Sequence, residues 1–328
     1  MSPLSLTRRQ VLVSGVLGMT GLASSAVRAT PAAATTPSKP SPQATPAAAA
    51  GTLRVGGDLP VNRVGFGAMR VTGAGIWGEP KDPAEAVRVL RRTVELGVNF
   101  IDTADAYGPE VSERLIAEAL YPYPPGLVIA TKGGLTRPSA SEWVADGRPQ
   151  HLRSACEASL ARLRLARIDL YQLHRIDPNV PLEDSLGELS RLRQEGKIRH
   201  VGVSNFSVAE LERALRVVPV VSVQNRYNVA DRSSEAVLTV CAEHGLAFIP
   251  WAPIARGSAD TLEARASKAL EKVAADHGVS VLQVAIAWLL AKSPVMLPIP
   301  GTSSVPHLEE NVAAANVKLS AAELTAIG

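Results

Sequence analysis

Apolar positions along this chain follow two repeating patterns. From residue 52 onward, short continuous apolar runs alternate with segments in which apolar side chains recur every three or four positions. Continuous runs are typical of parallel strands covered by helices, and the second pattern is typical of helices with one buried face. Eight such pairs between residues 52 and 328 favour an α/β fold with a closed (β/α)8 barrel, the TIM barrel, over an open doubly wound sheet.

Several boundaries of this barrel follow from local signals. A hairpin is predicted at residues 53–56 and 59–62, and we expect it to close the barrel floor. The first barrel strand is predicted at residues 64–69 and the last at residues 295–300. Asp82 precedes a proline, and this pair predicts the start of the first barrel helix.

Six predicted strands end in a residue suited to carbonyl chemistry. These residues are Asp102, Lys132, His174, Asn205, Gln224 and Trp251. The carboxyl ends of the strands in a (β/α)8 barrel meet at one face, and active sites of such barrels lie there. The pattern therefore predicts an enzyme.

Four residues together predict hydride transfer to a carbonyl group. Tyrosine has a reference pKa of about 10, so a tyrosine that protonates a carbonyl oxygen near neutral pH needs a nearby cation. Lys132 is placed to be the cation beside Tyr107, and Asp102 is placed to be the acid partner of that lysine. His174 is placed to orient the carbonyl by donating a hydrogen bond.

Each of the four has a structural interpretation when taken alone. Asp102 could cap a helix or form an ion pair at the rim, and Tyr107 could be a turn residue beside a glycine. Lys132 could be a solvated strand end, and His174 could be a packed core or rim residue. Because four such coincidences would have to fall at the correct strand ends in order, we favour the catalytic interpretation.

Four motifs resemble those of the aldo-keto reductase superfamily, at residues 100–108, 130–133, 169–174 and 202–206. The resemblance extends from about residue 52 to the C-terminus and implies a barrel that binds a nicotinamide dinucleotide without a Rossmann fold. It implies an NAD(P)H-dependent oxidoreductase acting on a small-molecule carbonyl substrate. The catalytic tetrad that it implies is Asp102, Tyr107, Lys132 and His174, with Tyr107 as the general acid.

The resemblance also implies the residues that hold the nicotinamide end of the cofactor. Ser204, Asn205 and Gln224 match the positions that bind the carboxamide. Trp251 stands where the family usually has a tyrosine that stacks on the nicotinamide ring. Tryptophan also offers a π-face, so stacking is expected here as well.

The adenosine end is matched by the last strand-to-helix turn. The matching positions are Gly301, Thr302 and Ser303 for the phosphate, and Glu310 and Asn311 for the adenine. His307 stands where the family often carries an arginine for the 2′-phosphate. NADPH is therefore the expected cofactor, with NADH left open.

The sequence does not fix the substrate, and it leaves two alternative functions open. Residues 121–123, 224–228 and 300–315 look most like bacterial pyridoxal-reductase-like members. One alternative is a cofactor-sensing binding subunit of the channel β-subunit type. Another is a lyase in which Lys132 forms a Schiff base, although Tyr107 and a dinucleotide site fit that reaction less well. The sequence leaves the oligomeric state unknown.

The first 29 residues resemble a twin-arginine export signal. Arg8 and Arg9 precede an apolar stretch at residues 11–27 that is short for a bilayer span of about 20 residues. We expect cleavage near Ala29, export from the cytoplasm and no stable membrane insertion afterwards. An uncleaved anchor, a chance basic-apolar start and cytoplasmic retention by an inefficient signal are the alternatives.

Residues 30–51, rich in alanine, proline and threonine, are predicted to be a disordered linker to the barrel domain at residues 52–328. Arg8, Arg9 and Arg28 account for the whole net charge of +3. The balanced remainder does not indicate a nucleic-acid-binding surface. Cys156 and Cys241 are predicted to be core residues, and no residues have metal-ligand spacing.

Overall fold

In the computed structural model, which describes residues 45–253 and 264–328, a curled sheet of seven parallel strands forms the centre of the fold. The strands are β1 Thr52–Val55, β2 Leu59–Asn62, β3 Phe66–Gly67, β4 Phe100–Asp102, β5 Val128–Gly133, β6 Leu135–Thr136, β7 Val144–Ala145, β8 Ile168–Leu173, β9 Ile198–Ser204, β10 Val220–Gln224 and β11 Ala247–Phe248. The sheet runs in the order β3, β4, β5, β8, β9, β10, β11, so each strand pairs with the next barrel strand along the chain.

Residues 295–298 close this sheet into a barrel. The Leu297 N–H donates to the Phe248 carbonyl at one edge (2.9 Å), and the Gly65 N–H donates to the Pro298 carbonyl at the other (2.9 Å). The predicted (β/α)8 barrel is therefore confirmed. The prediction of a regular last strand at residues 295–300 is wrong, because Pro298 and Pro300 have no N–H to donate to a ladder.

Ten α-helices lie in the described ranges. They are α1 Pro83–Glu95, α2 Val111–Leu120, α3 Pro149–Leu163, α4 Leu182–Gln194, α5 Val208–Val217, α6 Glu235–His244, α7 Ala264–His277, α8 Val281–Lys292, α9 Val305–Ala313 and α10 Ala321–Ile327. The Asp82 carboxylate accepts the Glu85 N–H at 2.9 Å and caps α1 as predicted. The first barrel strand is shorter than predicted, because residues 68–71 form a 3-10 turn after β3.

The hairpin β1–β2 covers the end of the barrel where the strands begin. Val55, Leu59 and Val61 are buried against side chains near the strand starts, among them Phe100 and Ala247. The predicted floor is therefore confirmed. Because these apolar side chains fill this end of the barrel interior, we expect the polar site at the opposite end, where the strands finish.

The last part of the predicted linker belongs to the folded barrel. Residues Pro46–Ala50 form a 3-10 turn, and Ala47 is fully buried. The Ala47 N–H donates to the Leu96 carbonyl at 3.1 Å. The prediction of disorder through residue 51 is wrong here because alanine is small enough to pack against α9 and the 3-10 turn at residues 314–316. The predicted signal and residues 30–44 lie outside the described residues.

The two cysteines are core residues, as predicted. Cys156 in α3 and Cys241 in α6 are both fully buried and unpaired. Burial raises the pKa of each thiol to about 12. Within the described ranges, no single helix is both long and apolar enough to cross a membrane, and the one pair that passes together, 268–277 with 281–292, is bent by 99°.

The packing of the N-terminal turn can be tested with a matched pair of substitutions. Ala47→Asp puts a charge at a fully buried position, whereas Ala49→Asp puts the same charge at an exposed one. We expect Ala47→Asp to lower the free energy of unfolding by about 1–3 kcal/mol and Ala49→Asp to change it by less than about 0.5 kcal/mol. Chemical denaturation measures both, and equal stabilities of the two variants would show that the turn does not contribute.

Candidate active site

The four residues predicted to be catalytic meet at the open end of the barrel. Asp102 ends β4, Lys132 lies near the end of β5, and His174 directly follows β8. Tyr107 lies in the loop between β4 and α2. All four are buried, from Lys132, which is fully enclosed, to His174, which is 8% exposed. The barrel thus brings together residues up to 72 positions apart in the sequence.

Lys132 is the centre of the hydrogen-bond network. Its ammonium group donates to Asp102 Oδ2 at 2.6 Å, to the Thr103 carbonyl at 2.9 Å and to Tyr107 Oη at 3.3 Å. An ammonium group has three protons, and these three acceptors use all of them. The lysine is therefore held in one orientation, with one proton directed at the tyrosine hydroxyl.

Two glutamines hold the other oxygen of the aspartate. Asp102 Oδ1 accepts from Gln172 Nε2 at 3.0 Å and from Gln224 Nε2 at 2.8 Å. Gln172 lies on β8 two residues before His174, so both side chains point to the same side of the strand. Gln224, which the resemblance assigns to the carboxamide of the cofactor, has its amide nitrogen engaged by the aspartate.

The loop that carries Tyr107 is fixed by hydrogen bonds. The Tyr107 N–H donates to the Ala104 carbonyl at 3.2 Å, and its carbonyl accepts from the Ser112 N–H at 3.1 Å. The Thr103 hydroxyl donates to the Ser112 hydroxyl at 2.8 Å, which donates to the Ala68 carbonyl at 3.1 Å. These bonds tie the loop to α2 and to the turn after β3.

Burial and charge set the protonation states of Tyr107 and Lys132. Burial raises the pKa of Tyr107 above its ordinary value, and the charge of Lys132 opposes that rise only in part. Burial, the largest influence on Lys132, lowers its pKa, but the attraction of Asp102 and Tyr107 outweighs this and leaves the pKa above its ordinary value. At neutral pH the tyrosine is protonated and the lysine is charged.

His174 is a neutral imidazole beside the tyrosine. Burial, together with the positive charges of Lys132 and Arg175, holds the pKa of His174 well below its ordinary value. The His174 and Tyr107 rings meet edge to face, with centroids 5.8 Å apart. A neutral imidazole has one N–H to donate, so Tyr107 and His174 present two donors that can converge on one oxygen atom.

The residues matched to the nicotinamide end adjoin His174. Asn205 has a left-handed backbone, with φ of 62°. Its Nδ2 donates to the His174 carbonyl at 3.2 Å and to Ser204 Oγ at 3.0 Å, and its Oδ1 accepts from Trp251 Nε1 at 3.0 Å. The indole ring of Trp251 is therefore tied to the strand end that carries His174. A ring fixed in this way fits the role of a stacking surface for the cofactor.

The residues matched to the adenosine end lie in the turn before α9 and within α9, outside the hydrogen-bonded tetrad. A Cβ on Gly301 would lie 2.3 Å from the Gly67 carbonyl oxygen, so only glycine fits this close approach. His307 is exposed, Glu310 is half-buried and Asn311 is buried. A chain passing this closely to the end of β3 fits a turn that cradles a phosphate group.

An acidic side chain also contacts this helix terminus. The Ser304 N–H donates to Thr302 Oγ1 at 3.2 Å, and the Val305 N–H donates to Glu85 Oε1 at 3.1 Å. A cavity of about 370 Å³ adjoins the contact, with Ser303, Glu85 and the cations Arg70 and Lys81 in its wall. The surroundings of the predicted phosphate turn therefore include two positive side chains and one carboxylate. Sequence reasoning missed Glu85 because it lies on a different helix.

Comparison with known proteins identifies the family. A model of the aldo/keto reductase family matches residues 63–328. The chain belongs to the aldo-keto reductase family. It is an oxidoreductase that works with a nicotinamide dinucleotide, and the resemblance seen in the sequence motifs is confirmed. Among the described residues of the enzyme, no group of three or more His, Cys, Asp or Glu side chains is arranged to hold a metal ion.

Similarity extends over most of the chain. An uncharacterised oxidoreductase of Schizosaccharomyces pombe is 54% identical over 274 residues, which are 84% of this chain and 88% of that protein. The pyridoxine 4-dehydrogenase of Escherichia coli is 41% identical over 270 residues, 80% of this chain and 93% of that protein. The crystal structure of an aldo/keto reductase from Klebsiella pneumoniae in complex with NADP and acetate is 26% identical, covers 84% of this chain and 93% of its own, and has a TM-score of 0.71.

The neutral state of His174 predicts a pH dependence of stability. An unfolded histidine has a pKa of about 6.5, and the pKa of His174 in the folded enzyme is lower. Between these two pKa values the unfolded chain binds more protons than the folded enzyme. The contribution of His174 to the free energy of unfolding is therefore fully present above about pH 6.5 and is lost as the pH falls below that value. His174→Gln should flatten this dependence by up to about 1.4 kcal/mol per pH unit.

Denaturant titrations at about pH 7.5 and pH 5.5 measure the difference. His307→Gln is the matched control, because His307 is exposed, and it should follow the wild-type curve. If His174→Gln lost as much stability on acidification as the wild-type enzyme, His174 would not be the neutral buried group described here.

Proposed function

We propose that the enzyme reduces an aldehyde or ketone to the alcohol with a hydride from NADPH, and that Tyr107 is the general acid. The observation that carries the proposal is the 3.3 Å contact between the Lys132 ammonium and the Tyr107 hydroxyl inside a buried network. A cation stabilises the phenolate left after proton transfer, and its effect is larger in a buried site than in water.

The protonation states support this direction of proton movement. Burial keeps Tyr107 protonated until a carbonyl oxygen accepts the proton, and Asp102 keeps Lys132 charged throughout. His174, being neutral, donates its single N–H to the same oxygen and orients the carbonyl. A bound nicotinamide dinucleotide supplies the hydride.

The two alternative functions are less well supported. A lyase would need Lys132 as an uncharged nucleophile, but its 2.6 Å bond to Asp102 favours the charged form. A cofactor-sensing subunit would bind NADPH without rapid turnover. Steady-state oxidation of NADPH with a panel of aldehydes separates these functions. Pyridoxal belongs in this panel because a relative with 41% identity is a pyridoxine 4-dehydrogenase.

Removal of the acidic proton tests the mechanism. Tyr107→Phe keeps the buried ring and removes the hydroxyl, so kcat for reduction should fall by at least about 100-fold. The dissociation constant of NADPH, measured by fluorescence titration, should change little, which serves as the control for folding. A Tyr107→Phe enzyme with near-native kcat would exclude Tyr107 as the acid.

The cofactor preference can be tested at Glu85. We expect NADPH to bind more tightly than NADH, since hydroxyls, Arg70 and Lys81 gather near the turn at Ser303. The Glu85 carboxylate opposes a 2′-phosphate there, so Glu85→Gln should tighten NADPH binding by about fivefold and leave NADH unchanged. The matched control is Glu309→Gln, which removes an exposed carboxylate paired with Arg92.

Direct binding titrations at about pH 6 and pH 8 complete this test. Equal dissociation constants of NADPH and NADH at both pH values would overturn the proposed preference.

We also propose that the enzyme is exported by the twin-arginine route, which carries folded proteins. Arg8 and Arg9 before an apolar stretch support this. In fractionated cells, the intact chain should reach the extracytoplasmic fraction, and the Arg8→Lys, Arg9→Lys double variant should stay in the cytoplasm. Retention of both proteins in the cytoplasm with residues 1–29 attached would contradict export.

A further inference from the structure

Arg137 is a buried arginine whose hydrogen bonds to described residues all go to the backbone. Its side chain donates to the carbonyl oxygens of Glu142 (3.0 Å), Ile76 (3.1 Å), Ala106 (3.4 Å), Gly75 (3.4 Å) and Ala140 (2.7 Å). A guanidinium group has five N–H donors, and these five carbonyls match them in number. Arg137 is only 8% exposed.

These carbonyls come from three loops at the barrel mouth. Gly75 and Ile76 belong to the connection between β3 and α1, and Ala106 belongs to the loop that carries Tyr107. Ala140 belongs to the connection between β6 and β7, as does Glu142. Arg137 therefore fixes the positions of three loops relative to one another with a single side chain.

Two tryptophans flank the guanidinium group. Its central carbon lies 3.7 Å from the ring centroid of Trp143 and 5.4 Å from that of Trp77. The Trp143 ring also meets the Tyr107 and His174 rings edge to face, with centroids 6.4 Å apart in each case. Trp143 is half-buried. An indole ring thus stands directly beside the two donors that face the substrate oxygen.

We propose that Trp143 forms the wall against which the carbonyl substrate lies, and that Arg137 is the positioning residue that holds this wall in place. The inference rests on the proposed carbonyl reduction at Tyr107 and His174. A carbonyl group held by these two donors places its substituent next to the Trp143 indole. A rigid aromatic wall favours flat, aryl-bearing carbonyl compounds over short aliphatic ones, because stacked or edge-to-face rings gain more than area burial alone.

The kinetic test compares benzaldehyde with propanal at saturating NADPH. Trp143→Leu and Arg137→Met should raise KM for benzaldehyde about tenfold, change KM for propanal less than about threefold and lower kcat less than about threefold. Trp143→Phe keeps a flat ring and should retain most of the discrimination. Arg137→Lys keeps the charge but has three donors and no planar group, so it should resemble Arg137→Met.

The chain supplies a matched control for the arginine. Arg148 precedes α3, its side chain is 68% exposed, and it pairs with Asp146 at the surface. Arg148→Met should leave both KM values unchanged. If Arg137→Met raised the KM of both aldehydes equally, or lowered kcat alone, Arg137 would act on the site in general and the proposed wall would be wrong.

A readout that does not depend on turnover separates this inference from the proposed function. In the enzyme labelled with 5-fluorotryptophan, the resonance missing from Trp143→Phe is that of Trp143. Benzaldehyde added with NADP should shift this fluorine resonance, and Arg137→Met should weaken the shift. A shift of the wild-type resonance without turnover would support the substrate wall at Trp143 and contradict the proposed carbonyl reduction. Normal turnover of benzaldehyde without a shift would contradict the wall and support the proposed reduction.

Discussion

The buried ion pair between Lys132 and Asp102 is the interaction on which the site depends. Removing two charges from water costs several kcal/mol for each ion, and the attraction between them repays this only when the remaining hydrogen bonds are also made. Here the Lys132 ammonium donates its two other hydrogen bonds to the Thr103 carbonyl and the Tyr107 hydroxyl. The second oxygen of Asp102 accepts hydrogen bonds from Gln172 and Gln224. The network is stable because every member has its partners.

Two features of the barrel allow the ion pair of Lys132 and Asp102 to be buried. The hairpin fills the floor with Val55, Leu59 and Val61, so apolar side chains separate the polar network from solvent at that end. The strands are continuous apolar runs, so each can bury both faces and still end in one polar residue. Removal of one partner of the ion pair would leave a charge without compensation, which is more costly than replacing the pair altogether.

The sequence predicted features that depend on local pattern and order. The structure places Asp102, Lys132 and His174 at a strand end or within one residue of it, as their spacing predicted. It also has the predicted cap at Asp82 and the predicted hairpin floor. Features set by contacts between distant segments were missed. The hydrogen bonds of Gln172 and Gln224 to Asp102, the carbonyls around Arg137 and the packing of Ala47 depend on which chains meet in space. At residues 295–300 the run of apolar residues predicted a strand, although Pro298 lacks the N–H that a regular strand needs.

The position of the N-terminal turn has a practical consequence for handling the enzyme. Thr45 lies over Gly97, at the turn between α1 and the start of β4, which is the floor end of the barrel. The described chain thus begins on the side opposite the tetrad. A tag or support attached upstream of this point joins the barrel at its closed end, so an immobilised enzyme keeps its mouth open to the surrounding solution. Attachment through the loops around Arg137 would instead obstruct it.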